Sequence, residues 1–257
     1  MQDLKVSLIQ VDQCWEDVSA NLTKFESLIQ KQSDTDLIVL PEMFHTSFSM
    51  NTSLAKDWED NPIVEKLKQW SLKSQAAIYS SLMVKEQHQF YNRGVFVSPN
   101  GSVQYYDKRK SFGLGGEDRV FSQGDQEVIV DYKGWKINLQ ICYDLRFPEL
   151  IRNRINSDGN PAYDVLIYVA NWPQKRVLHW STLLQARAIE NQCFVVGVNR
   201  IGTDGNNLVY SGASAIYDGL GETKLLMNDQ ENTSTVTLSY ESMQNWRLSL
   251  PFLKDRK

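Results

Sequence analysis

Short β-branched runs alternate with helically spaced apolar positions, and no break separates one domain from another. Val6–Val11 predicts a strand, and the pattern over 18–30 predicts a helix. Leu37-Ile38-Val39-Leu40 is a continuous apolar run of buried-strand length, stopped by Pro41. Pro62 suits the first position of a helix whose Ile63, Leu67 and Trp70 recur on one side. Ala77–Val84 resumes strand character. Val95–Val97 and Val103–Tyr106 flank Pro99-Asn100-Gly101, a hairpin signal. Gly113–Gly116 reads as a flexible loop, with its use as a lid left open.

Val128–Val130 and Trp135–Ile141, split by Lys133-Gly134, predict further strands, as do Val165–Val169, Phe194–Val198, Ser214–Tyr217 and Thr235–Leu238. Phe147, Leu150, Ile151 and Ile155 predict one helical face, and Trp180, Leu183, Leu184 and Ala188 another. From Trp246 onward an apolar-then-basic tail, 246–257, suits packing on a neighbouring subunit. The whole predicts α/β layers, sheets covered by helices, in one domain spanning 1–257.

Composition narrows the function classes. The 257 residues carry 31 Asp+Glu against 27 Lys+Arg, a formal charge of −4, so nucleic acid is not an expected partner. No run approaches the ~18 apolar residues a membrane span needs, and the N-terminus lacks a secretory pattern, so a cytoplasmic protein is expected. The three cysteines, Cys14, Cys142 and Cys193, lie too far apart for a disulfide framework or a Cys-x-x-Cys site. Three histidines without His-x-x-x-His spacing argue against zinc, and Gly-x-Ser-x-Gly is absent.

Chemistry is best sought where buried strands stop, because side chains there are held rigidly yet face a cleft. Glu42 follows the run 37–41 directly; such a carboxylate is ordinarily a solvated turn residue. Cys142 ends the run 135–141 at a predicted strand-to-helix turn. A thiol there can lie under backbone N–H groups that lower its pKa and bind an oxyanion, although a small buried hydrophobe is the commoner fate of cysteine. Lys108, in Tyr106-Asp107-Lys108-Arg109, follows a hairpin strand, where a lysine is surface charge or a cation aimed into a cleft. Each signal is weak alone; together, in order, they point to one site.

Leu40-Pro41-Glu42-Met43-Phe44, Tyr106-Asp107-Lys108-Arg109 and Ile141-Cys142-Tyr143-Asp144-Leu145-Arg146-Phe147-Pro148-Glu149 resemble the three signature blocks of the nitrilase superfamily of carbon–nitrogen hydrolases. Asn171-Trp172-Pro173 and 186–192 resemble family segments as well. The wording is most similar to the omega-amidase branch, which removes ammonia from the terminal amide of 2-oxo dicarboxylic acid monoamides.

The resemblance implies a Glu42–Lys108–Cys142 triad, a four-layer αββα sandwich and a homodimer formed through helical faces. Glu117 resembles the additional glutamate many members place beside the triad. The chain departs from many relatives after the lysine, where they read x-His-Leu-Phe and it reads Arg109-Lys110-Ser111-Phe112.

On this resemblance Cys142 is the nucleophile and Glu42 its base. Lys108 and the backbone N–H of Tyr143 stabilise the oxyanion, and Glu117 orients the amide or water, with no metal or organic cofactor. The expected partner is a small amide such as 2-oxoglutaramate or 2-oxosuccinamate. Its carboxylate calls for a cation, with Arg146, Lys110 and Arg176 as candidates, although Arg146 equally suits a structural pair with Asp144 or Glu149. Phe44, Phe112 and Trp172 are candidate apolar walls or ordinary core. Deaminated glutathione, a carbamoyl compound or a nitrile is the alternative substrate, and a non-catalytic binding module the alternative class.

Overall fold

The computed structural model describes residues 2–256; Met1 and Lys257, the ends of the expected domain and tail, lie outside the described residues. The first half contains β1 (Leu4–Gln10), α1 (Val18–Gln30), β2 (Leu37–Val39), β3 (Lys56–Asp57), α2 (Pro62–Ser74), β4 (Ala77–Glu86), β5 (Gln89–Val97) and β6 (Val103–Asp107). The second half contains β7 (Ile129–Tyr132), β8 (Trp135–Ile141), β9 (Val165–Ala170), α3 (Val177–Asn191) and β10 (Phe194–Asn199). These are followed by the β11 (Ile201–Thr203) and β12 (Val209–Ser211) hairpin, β13 (Ala215–Tyr217), β14 (Thr223–Leu226), β15 (Asn232–Leu238) and α4 (Tyr240–Ser249).

Apart from the separate two-stranded β11-β12 hairpin, the strands form two sheets, ordered β15-β1-β2-β4-β5-β6 and β14-β13-β10-β9-β8-β7, with β3 attached to β4. In each sheet the central three strands, β1-β2-β4 or β8-β9-β10, run parallel and the flanking strands antiparallel. Side chains alternate in direction along a strand. In β1, Leu4, Val6 and Leu8 accordingly enter the core between the sheets, with Leu37, Val39 and Tyr79 of the same sheet and Ile137, Leu139 and Val165 of the other. Ile9, Ile38 and Ile78 face the other way, onto Phe25 and Ile29 of α1 and Leu67 and Trp70 of α2. On the far side, Trp180 and Leu184 of α3 close over β10 at Gly197, where an added Cβ would lie 2.4 Å from Leu184. The expected αββα layering results.

One expectation, the helix after Cys142, is corrected. No α-helix forms over Phe147–Ile155: 3-10 turns at Cys142–Arg146 and Pro148–Leu150 lead into an irregular segment. The ring of Pro148 disfavours the α region for the residue before it, and Phe147 accordingly sits at φ −116° and ψ 85°. The tail, for its part, packs on its own chain. Trp246 is buried beside Phe194, Arg247 pairs with Asp164 at 2.6 Å, and Leu253 is buried. Tethered by these contacts, the tail is a cover for the second sheet.

Candidate active site

The site assembles where strands end. Glu42 lies three residues beyond β2, Lys108 follows β6, Cys142 follows β8 and Asn171 follows β9. Three of these ends are carboxyl ends of parallel strands, the usual place for a ligand crevice in α/β sheets. Cys142 sits at φ +43°, a left-handed conformation costly for a residue with a Cβ. The sharp turn from strand into 3-10 helix holds the sulfur at the cavity wall and places Tyr143 N–H in the first turn, where backbone donors lack partners within the helix.

Beneath the sulfur lies a closed ion cluster. Lys108 Nζ donates to Glu42 Oε1 at 2.9 Å and to both oxygens of Glu117 at 2.9 Å. All three side chains are almost fully buried. Asn92 Nδ2 donates to Glu42 Oε1 at 2.8 Å and Glu117 Oε1 at 3.1 Å. Asn171 N–H donates to Glu42 Oε2 at 2.9 Å, and Phe112 N–H to Glu117 Oε2 at 2.6 Å. The main chain of Glu42 is gripped as well: its carbonyl accepts from Asn171 Nδ2 at 2.7 Å and Gln13 Nε2 at 3.1 Å.

Burial opposes charge on Lys108, but Glu117 and Glu42 outweigh it and hold the ammonium well above the ordinary lysine range. The thiol differs from expectation. Burial, reinforced by Glu42 and only partly offset by Lys108, pushes Cys142 well above the usual cysteine range rather than below it. With two carboxylates around one ammonium, a thiolate would be an uncompensated further charge.

Cys142 opens into a cavity of about 460 Å³, whose wall includes Phe112, Tyr143, Arg146 and Trp172. Glu42, Lys108 and Glu117 form the buried layer under it. Arg146 pairs with neither Asp144 nor Glu149. Its guanidinium lies 4.7 Å from the Trp172 ring centroid and 3.2 Å from His179 Nδ1. Asp144 is occupied elsewhere, accepting from Tyr106 Oη, Ile141 N–H and Lys110 N–H. Arg176 also lines the cavity, 5.3 Å from the Phe112 ring centroid. Among the described residues neither arginine has a carboxylate partner.

Lys110 turns away, its ammonium 5.0 Å from the Phe147 ring centroid. Phe44 is a correction too: it is no cavity wall but core, edge-on to Phe25 at 5.3 Å and Trp70 at 6.1 Å. Phe48, four residues on, takes the wall position. Sequence reading gave Asn171 no role beyond its place in a family segment and passed over Asn92, together with the wall residues Trp15, Glu16 and Tyr210. The strand-end criterion that selects Cys142 also selects Asn171, which directly follows the apolar run 165–170.

An αββα sandwich with a buried thiol at this strand end is the architecture of a hydrolase class. The carbon–nitrogen hydrolase family model matches residues 5–248; the chain belongs to that family and is an amide-hydrolysing enzyme. It is 40% identical over 256 residues to omega-amidase YafV of Yersinia enterocolitica, covering 99% of this chain and 97% of that protein. It is 34% identical to the 2-oxoglutaramate amidase of Paenarthrobacter nicotinovorans, covering 92% and 83%. The crystal structure of XC1258 from Xanthomonas campestris is that of a CN-hydrolase superfamily protein with an arsenic adduct in the active site. It superposes with TM-score 0.98 at 39% identity, covering 100% of this chain and 98% of that one.

Proposed function

We propose that the enzyme hydrolyses the terminal amide of a small 2-oxo dicarboxylic acid monoamide, 2-oxoglutaramate or 2-oxosuccinamate, to the acid and ammonia through a Cys142 thioester. The observation that carries this reading is a cavity with the Glu42–Lys108–Glu117 cluster under its thiol and two guanidiniums, Arg146 and Arg176, on its wall without carboxylate partners among the described residues. A short amide whose far end is a carboxylate matches both ends. The names of the relatives above support the same substrate class.

The hydrogen bonds support one route for the proton. Glu42 Oε1 accepts from Lys108 and Asn92, whereas Oε2 accepts only from Asn171 N–H, leaving a lone pair for the thiol proton. Because the resting thiol is neutral, Glu42 Oε2 removes its proton as sulfur attacks the amide carbon. The oxyanion is met by Tyr143 N–H and by Lys108, whose ammonium, engaged at rest by Glu42 Oε1 and both oxygens of Glu117, turns one N–H from Glu117 to the developing charge. Glu42 returns the proton to the leaving nitrogen, and ammonia departs. It then deprotonates water, which attacks the thioester; the acid leaves and the sulfur regains a proton. Glu117 holds Lys108 in place.

We also propose that the whole chain acts as one domain in the cytoplasm and forms a homodimer. Among the described residues no helix is long and apolar enough to cross a membrane. The outer face of α3 exposes Leu178 and Ile189, with Leu220 beside them, as a helical dimer face would. Light scattering on Ile189→Glu tests it: a monomer is expected, and an unchanged dimer places the contact elsewhere.

Ammonia release from a panel of 2-oxoglutaramate, 2-oxosuccinamate, deaminated glutathione, a carbamoyl compound and a nitrile tests the substrate. The highest kcat/KM is expected for an oxo-acid amide. A preference for any other member overturns that assignment.

A further inference from the structure

Asn92 lies on β5 directly opposite Lys108, next to the register pair Arg93–Asp107, and its carbonyl oxygen accepts the Lys108 backbone N–H at 3.0 Å. Its side chain is buried and reaches the two glutamates from the same strand. One primary amide has two hydrogens, and here each is matched to a different carboxylate. Asn92 Oδ1, in contrast, is buried with no hydrogen-bond partner among the described residues. An amide left free to choose would not abandon its carbonyl; the two anions dictate this orientation.

From this geometry we infer that Asn92 is a positioning residue that keeps Glu42 and Glu117 ionised together around a single ammonium, so that Glu42 is free of its proton when the thiol must lose one. The charged and titratable groups facing Glu42 are Lys108 beyond β6, Glu117 from the 3-10 turn at 117–119, Cys142 beyond β8 and, further off, Asp144 and the Tyr79 hydroxyl. Lys108 supplies the only cation in that set, and two carboxylates so close repel each other's charge. The remaining compensation comes from neutral donors: Asn171 N–H for Glu42, Phe112 N–H for Glu117, and Asn92 alone for both. Removing the Asn92 amide leaves one proton more readily shared by the pair. An aspartate of the same shape adds a third carboxylate to it.

The inference rests on Glu42 as the base of the proposed reaction, and its test has an arm that needs no amide substrate. Asn92→Ala and Asn92→Asp are compared with the wild-type chain for the pH dependence of Cys142 alkylation by iodoacetamide, and for kcat/KM with 2-oxoglutaramate. Circular dichroism confirms folding. The acid limb of the alkylation profile is expected to move up by about one pH unit, so that the rate at a pH on that limb falls about tenfold. The kcat/KM profile is expected to move the same way, with a plateau lowered about 10- to 100-fold, the usual effect of losing a hydrogen bond to a charged group. An alkylation profile superimposable on that of the wild-type chain overturns the inference, as does failure of both variants to fold, which would make Asn92 structural. A shifted alkylation profile in the variants, together with a wild-type chain that does not release ammonia from 2-oxoglutaramate, upholds the inference and rejects the substrate.

Discussion

The floor of the cavity and its wall are built in opposite ways. The floor is a buried set of charges in which Glu42, Glu117 and Lys108 are fixed by one another and by three further donors, Asn92 Nδ2, Asn171 N–H and Phe112 N–H. The wall is aromatic, partly solvated and drawn from separated loops. Its two guanidiniums, resting on Trp172 and Phe112, have no carboxylate partner among the described residues. Floors of the first kind fix a reaction, because a buried charge tolerates little change in its partners. Walls of the second kind select a substrate, because a stacked guanidinium is held in place while its N–H donors remain free.

Substitutions on the two sides should therefore fail differently. The largest effect is expected at the sulfur. Cys142→Ala should lower kcat for ammonia release by more than about 10⁴-fold, whereas Cys193→Ala, deep in the second sheet's core, should retain turnover. Full activity in the first variant breaks the comparison at its base. Next, Glu42→Gln should lower kcat about 10²- to 10⁴-fold, the range of general-base catalysis. A change confined to KM would move Glu42 from the floor to the wall.

Phe44→Ala sharpens the boundary from the side of the core. It should cost about 3–5 kcal/mol in urea unfolding, as truncated buried aromatics do, with KM unaltered; a raised KM would return Phe44 to the substrate. On the wall, Arg146→Ala and Arg176→Ala should each raise KM for 2-oxoglutaramate about 10- to 100-fold. A neutral amide should feel neither change. Equal loss for charged and neutral amides would show that these arginines do not read a carboxylate.

The smallest effect is a pH dependence of stability. Burial, with Lys56 adding to it, pushes His45 down to about 3, and neither ring nitrogen has a partner among the described residues. The unfolded chain therefore takes up a proton that the folded chain refuses. The contribution is complete above the unfolded value near 6.5 and is lost as pH falls from there toward 3, by at most about 1.4 kcal/mol per pH unit. Urea unfolding at pH 7, 6 and 5 should show this slope, and His45→Asn should flatten it; an equal slope in the variant assigns it to other groups.

Layering is readable from the chain because apolar alternation in β1, β2 and β4 records which face meets the second sheet and which meets α1 and α2. The convergence of Glu42, Lys108 and Cys142 is foreshadowed for a related reason: each lies just past the end of a strand, where a rigidly held side chain can meet a cleft. Phe44 is misplaced by sequence because an aromatic beside Glu42 looks alike whether it faces the cavity or the core, and only the turn between them decides. Asn92 gives no signal, since its partners lie 25 and 50 positions away. Trp15 and Tyr210 stay hidden because the loops that bring them to the wall share no local pattern. The thiol's direction is misread for an electrostatic reason: backbone donors at the turn are local, while the two carboxylates that oppose ionisation arrive from distant parts of the chain.

The central claim is that the sulfur of Cys142 carries the acyl group during turnover. Mixing the enzyme with 2-oxoglutaramate, quenching in acid within the first turnovers and mapping the peptides by mass spectrometry tests it most directly. The account predicts an acyl thioester on the peptide containing Cys142, with Cys14 and Cys193 unmodified and the adduct lost on longer incubation. Ammonia release at the full rate from a Cys142→Ala chain, with no acylated peptide in either protein, would contradict it.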